Sequence, residues 1–299
     1  MAETETTADS TWSESGATGD TGGRVTIAVV LCLLSMSSVQ FGAALSKPAM
    51  ESVGAFGATW LRLCWAAAFL LLLVRPAFLS YTRVQWLSAL SLGATMAVMT
   101  LCFFAAIARI PLGLAVAIEF LGPLTVAAIF GGRGWRLLCP VIAGAGVLCL
   151  SWDGAAWVAD TPGLFLAFGA AIGWGGYIML MKQAGQRFRG LEGLAVSLLF
   201  AALFATPFGL HQAQSGFSFD MLMMTAGLAI LVPLLPYALE FMALRCMQPS
   251  AFGILMSLEP AIGAGAGFVI LGQALVPNQV FGVVLVMIAS VTGTLLAKG

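Results

Sequence analysis

The sequence predicts an all-α polytopic membrane protein, with ten transmembrane helices arranged as two inverted five-helix repeats. Three observations predict it. Of 299 residues, 60% are hydrophobic and 9% are charged, where a soluble domain carries roughly 25% charged residues. Ten apolar segments follow one another, each close to the roughly 17–25 residues that a bilayer requires. Five segments per half is an odd number, so the second half must enter the membrane upside down relative to the first.

Residues 1–23 are rich in Thr, Ser and Gly and hold five acids and no base. This composition predicts a disordered acidic cytoplasmic tail, and without a basic opening it does not read as a signal peptide. The apolar segments then span 25–45, 54–74, 85–107, 112–131 and 137–152, and 162–181, 191–210, 221–243, 250–271 and 277–297. Short connections make neighbouring helices antiparallel. The chain divides into the tail (1–23), a first repeat (24–153) and a second repeat (154–299).

Lys and Arg set the orientation. With the N-terminus inside, the inner face holds Arg24, Arg75, Arg83, Arg133, Arg136, Lys182, Arg187, Arg189, Arg245 and Lys298. The outer face holds Lys47 and Arg109, and its 5–6 loop carries Asp153 and Asp160. Both termini are therefore expected in the cytoplasm. The halves match weakly at an offset of roughly 136 residues: Lys47 with Lys182, Gly57 with Gly193, Arg109 with Arg245, Glu119 with Glu259, and Gly144 with Gly282. Many of the 35 glycines lie inside helices, where small residues let helix backbones approach closely.

Two related stretches carry the chemistry. IPLGLAVAIEFLGPL, 110–124, places Glu119 near mid-depth, and Pro123 deprives the Glu119 carbonyl of its helical partner. MQPSAFGILMSLEPAIG, 247–263, repeats the pattern with Glu259 and Pro260, which frees the carbonyl of Met256. A charge at that depth costs roughly 2.5–3.5 kcal/mol on insertion scales. Irregular backbone is tolerated there only against protein or a watered cavity. In LVPLLPYALEFMAL, Pro236 likewise frees the carbonyl of Val232, with Tyr237 and Glu240 following.

The remaining intramembrane polar groups are Arg62, between Trp60 and Trp65, with Gln40 and Tyr177. A zwitterion needs a cation for its carboxylate and an anion for its ammonium. Arg62 offers a bidentate fork, and Glu119, Glu240 or Glu259 can accept from the ammonium. Gln40, Tyr177 and Tyr237 complete the candidate substrate site. A carboxyl that alternately holds proton and substrate would couple transport to the proton gradient, and Glu119 and Glu259 are the candidates. A structural ion pair between Arg62 and one glutamate is the alternative. Lys47, Lys182, Pro123, Pro236 and Pro260 are the candidate gates and hinges, although end-of-helix lysines commonly snorkel.

Other classes fit poorly. Zero net charge gives no basic field for nucleic acid. The six cysteines contain no C-x-x-C pair and lie in or beside apolar segments, so they read as packing residues, without a disulfide framework or metal site. One His, at the end of a predicted helix, and no catalytic motif argue against an intramembrane enzyme. No cofactor is expected.

Five stretches resemble the drug/metabolite transporter superfamily, in its EamA-type threonine/homoserine exporter branch. They are SSVQFGAALSK (37–47), ATWLRL (58–63), PLGLAVAIEFLGPLTVA (111–127), LPYALEFMAL (235–244), and FGILMSLEPA with the later FVILGQ (252–273). The resemblance implies the ten-helix EamA fold, a central cavity and export by alternating access, with small amino acids such as threonine and homoserine as substrates. It places the protein in a bacterial inner membrane, with a small-molecule substrate, protons and lipid as partners and a homodimer left open. In many relatives the motif after helix 9 ends Gly-Glu. Here it ends Gly272-Gln273, without that charge. Export of other metabolites, or of aromatic or cationic compounds, is the runner-up, and a receptor or scaffold the remote one.

Overall fold

Pro and Gly decide where the apolar segments bend, and the segments themselves form helices because a helix satisfies every backbone group in lipid within one segment. The computed structural model describes residues 19–130, 138–152, 160–213, 218–246 and 255–296, and the regular elements among them are all helical. Arg133, Arg136, Asp153, Lys298, residues 1–18 of the acidic tail and the start of the second Glu-bearing stretch (247–254) lie outside the described residues.

Helix α1 runs Gly19–Leu45, so it takes in the last five residues assigned to the tail. After Ser46, α2 runs Lys47–Val74. It bends at Gly54, whose φ of 76° explains why the apolar pattern begins there rather than at Lys47. The N–H of Phe56 freed by this bend donates to Gln212 Oε1 at 2.7 Å. Helix α3 is Arg83–Ile107, opened by a capping box between Thr82 and Gln85.

The segment 112–131 is broken: α4 is Leu112–Glu119 and α5 is Leu121–Phe130. Helix α6 follows at Leu138–Leu150, α7 at Thr161–Arg187 and α8 at Glu192–Gln212. The segment 221–243 is broken too, into α9, Phe219–Ala229, and α10, Leu235–Cys246. A π-helical turn joins them, with Val232 in extended backbone. The last helices are α11, Glu259–Leu271, and α12, Pro277–Leu296.

Among the described residues six helical spans are long and apolar enough to cross a membrane, one of them, 219–240, running through the π-helical turn, and four shorter apolar stretches lie at 112–126, 141–150, 259–271 and 277–292. The exposed surface is correspondingly apolar, with Leu72, Leu73, Phe165, Ile172 and Val269 each more than 70% accessible.

The helices pack in corresponding pairs. Helix α2 lies against α8, α6 against α12, and α4 against α11. The α3–α7 contact has its counterpart in α1–α10, and α3–α8 in α2–α9. The contact of α7 with α4 and α5 matches that of α1 with α11. At the α6–α12 crossing the approach is reciprocal. A Cβ on Gly146 would lie 2.6 Å from the Gly282 carbonyl, and one on Gly282 would lie 2.5 Å from that of Gly146. Gly144, which the sequence comparison paired with Gly282, faces open space. The packing glycine is Gly146, one half-turn further on.

Candidate functional site

Three breaks in helices create the site, and each is followed by a proline in the first turn of the next segment. Pro123 is the third residue of α5, and Pro236 and Pro260 are the second residues of α10 and α11. A first turn does not need the missing N–H, so the cost falls on the preceding segment, whose carbonyl goes unpaired. Glu119 is accordingly the last residue of α4, and Glu259 the first of α11. Both carboxylates were expected in mid-helix. They instead flank breaks, because the proline four residues on from Glu119 and one on from Glu259 interrupts the ladder.

Helix α1 is the element that gathers the site. Its Gln40 Nε2 donates to Glu259 Oε1 at 3.1 Å. Its Ser35 Oγ donates to Glu240 Oε1 at 2.9 Å and lies 3.4 Å from the Pro236 carbonyl. Its Ser38 Oγ donates to the Leu231 carbonyl at 2.8 Å, within the π-helical turn. Gly42 lets α1 come close there, since a Cβ would meet Val232 Cγ2 at 2.4 Å.

Glu119 and Glu259 lie within electrostatic range of each other, and Glu240 within range of Glu259. Tyr177 and Tyr237 stack at 5.6 Å between ring centroids, and both sense Glu240. Phe120, next to Glu119 in the chain, meets Trp174, three residues before Tyr177, edge to face at 5.4 Å. The structure thus brings Glu119, Glu240, Glu259, Gln40, Tyr177 and Tyr237 into one neighbourhood of acceptors and rings. Two of its acceptor atoms, Glu259 Oε2 and Gln40 Oε1, are buried with no partner among the described residues. Glu119 has no hydrogen-bond partner among the described residues.

Arg62 is elsewhere. It is 2% exposed, and its guanidinium donates to Ser46 Oγ at 2.8 Å, reaches Thr59 Oγ1 at 3.5 Å, and stacks on the Phe104 ring at 3.5 Å. Its Nε has no partner among the described residues. The ion pair between Arg62 and a glutamate, the alternative reading of the sequence, is not formed among the described residues. Ser46 lies six residues beyond Gln40 along the chain, or about 9 Å at helical rise.

The described contacts do not bring the candidate gate lysines to the carboxyls. Lys47 is exposed at the first residue of α2, and Lys182 is exposed more than a turn inside α7, which continues to Arg187 rather than ending at 181. His211 is exposed in the last turn of α8, and Cys32, Cys64, Cys102, Cys139 and Cys149 are free thiols. Gln273 was noted only for its missing charge. Its Oε1 accepts from the Leu112 N–H at 3.1 Å and so caps α4, whose preceding Pro111 has no side-chain cap to offer. Ser35, Ser38, Ser46 and Thr59 were not singled out from the sequence. The signal available was the SMSSVQ run, small polar residues concentrated in one apolar helix.

Comparison with known proteins agrees with this architecture. Residues 161–294 match the EamA-like transporter family. The threonine/homoserine exporter RhtA of Escherichia coli K12 is 35% identical over 278 residues, covering 92% of this chain and 93% of its own. RhtA of Salmonella typhimurium SL1344 is 35% identical over 275 residues, covering 91% and 92%. A solved crystal structure superposes with a TM-score of 0.63 over 93% of this chain and 98% of its own, at 17% identity, which shows a shared fold. With helices throughout, spans of membrane length and this identity along nearly its whole length, the chain belongs to the EamA-like transporters of the drug/metabolite transporter superfamily, in the RhtA-like branch.

Proposed function

We propose that this protein exports small amino acids of the threonine/homoserine type from the bacterial cytoplasm, by alternating access and coupled to protons. The observation that carries the reading is the acceptor cluster: Gln40 and Glu259 bonded to each other, each with a buried unpartnered oxygen, beside Glu119 and Glu240. Unpartnered acceptors in a buried site call for a donor, and a substrate ammonium supplies up to three. Arg62, with its open Nε, takes the carboxylate end once the helices shift. Glu119 and Glu259 exchange substrate for proton. Pro123, Pro236 and Pro260 are the hinges, and Lys47 and Lys182 guard opposite faces.

Ten spans in two inverted repeats, 24–153 and 154–299, frame this cycle, with both termini cytoplasmic in the inner membrane. The pairwise correspondence of helix contacts and the reciprocal Gly146–Gly282 approach support that plan. The family match over 161–294 is the size of one such half. One observation favours the second reading, an exporter of cationic or aromatic amines: Arg62 is not among the carboxyls, whereas the Tyr177–Tyr237 stack is beside them.

The test is counterflow of labelled threonine into proteoliposomes preloaded with unlabelled threonine, with and without a pH gradient. Counterflow that homoserine competes, stimulated by the gradient and lost in Glu119→Gln, is expected. Absence of counterflow from protein that unfolds cooperatively refutes the substrate class. Wild-type counterflow and pH response in Glu119→Gln refute the coupling role.

A further inference from the structure

At one end of the bundle the α2–α3 loop and the α7–α8 loop are fastened together. Tyr81 Oη donates to Glu192 Oε2 at 2.8 Å, and Gln85 Nε2 donates to the Arg187 carbonyl at 2.8 Å. Rings of Phe78, Tyr81, Trp86 and Phe188 lock the junction, with Tyr81 edge-on to Phe188 at 5.2 Å and Phe78 stacked on Trp86 at 6.1 Å. Burial, with Glu192 beside it, pushes the Tyr81 hydroxyl up to about 12, so it stays a donor. This fastening holds four exposed arginines, Arg75, Arg83, Arg187 and Arg189, at one end of the molecule. Glu192, at the start of α8, is engaged by Tyr81.

Two further features single out the loop. Arg75 closes α2 in the left-handed conformation, φ 50° and ψ 61°, and is the one non-glycine residue with positive φ among those described. Glycine or asparagine adopts that position at less cost, so the side chain is retained against a backbone preference. Beside it, Pro76 to Ser80 line an open depression of about 530 Å³, with Leu79 wholly exposed. Leu72 and Leu73, on the last turn of α2 just before the loop, are more than 70% exposed.

We propose that this end of the bundle is a binding site for an anionic phospholipid, with the headgroup phosphate held by Arg75 and Arg83, supported by Arg187 and Arg189, and the acyl chains lying along Leu79, Leu72 and Leu73. Arginine suits phosphate because its fork donates two parallel hydrogen bonds. A fastened pair of loops presents the arginines without the ordering cost of a mobile basic tail. The site is remote from the carboxyl cluster and does not depend on which substrate is carried.

The experiment is thermal unfolding and native mass spectrometry of the purified full-length protein in neutral detergent, titrated with phosphatidylglycerol, with phosphatidylcholine and with inorganic phosphate. Phosphatidylglycerol is expected to stabilise and to remain bound, and the other two are not. Arg75→Gly relieves the backbone while removing the guanidinium. It should melt no lower than wild type in lipid-free detergent, yet bind phosphatidylglycerol about fivefold more weakly, as should Arg83→Gln, each arginine near an anionic surface contributing about that factor. Equal stabilisation by phosphatidylcholine, or unchanged phosphatidylglycerol binding in both variants, overturns the proposal. Stabilisation by inorganic phosphate alone would overturn the lipid and leave a soluble anion.

Discussion

Replacing Gln40 by leucine removes the described donor to Glu259 at nearly constant side-chain volume. The bond is 3.1 Å long, its partners are 1% and 5% exposed, and the second oxygen of Glu259 already lacks a partner. Stranding a buried acceptor costs about 1–3 kcal/mol. At about 2–4 °C per kcal/mol for a large chain, that lowers the melting temperature by about 2–12 °C. Glu259→Leu strands the Gln40 amide in the same way. Removing both partners together approaches neutrality, so the double variant should melt well above the sum of the two losses, with a coupling of about 0.5–3 kcal/mol. The assay is thermal unfolding of the four proteins in nanodiscs of one lipid composition. Strictly additive losses would refute the bond, and with it the inference that α1 orients Glu259.

At the α6–α12 crossing, Gly146→Ala and Gly282→Ala should each destabilise by about 1–3 kcal/mol, because the added carbon meets a backbone carbonyl that cannot swing aside. Gly144→Ala, which faces open space, should be neutral or stabilising by up to about 1 kcal/mol; the same melts rank all three, and equal effects would refute the reciprocal contact. Gln273→Ala should lose about 1–3 kcal/mol by uncapping Leu112, whereas Gln273→Glu keeps an acceptor at a helix N-terminus and should melt near wild type. Arg62→Lys should weaken threonine binding by about tenfold or more in a counterflow titration, since a point charge reproduces neither the fork nor the stack on Phe104. Unchanged affinity at normal expression would make Arg62 a packing residue.

What the sequence made legible follows from local chemistry. Hydropathy located the apolar segments because lipid admits little else. The prolines located the breaks, because each removes one N–H at a known distance from a known carbonyl. Pro123, Pro236 and Pro260 each stand just after the irregular backbone that the sequence assigned to them. What remained hidden depends on which helix faces which. Nothing in Gln40 or Ser35 says that one meets Glu259 and the other Glu240, across 219 and 205 residues of chain. The surroundings of Arg62 were hidden for the same reason: packing gave it Ser46, Thr59 and a ring, none of which its charge announces.

The repeat comparison also equated Glu119 with Glu259, and here the geometry separates what the sequence made equal. Glu119 is the last residue of one helix, at its carbonyl end, whereas Glu259 is the first residue of another, at its amide end. Glu259 has Gln40 as a donor, and Glu119 has no described donor. Residues that a weak match between two halves of a sequence equates need not share a task. In the proposed export cycle, where one cavity takes a substrate ammonium and a proton in turn, two carboxyls with unlike surroundings would allow the two cargoes to be told apart.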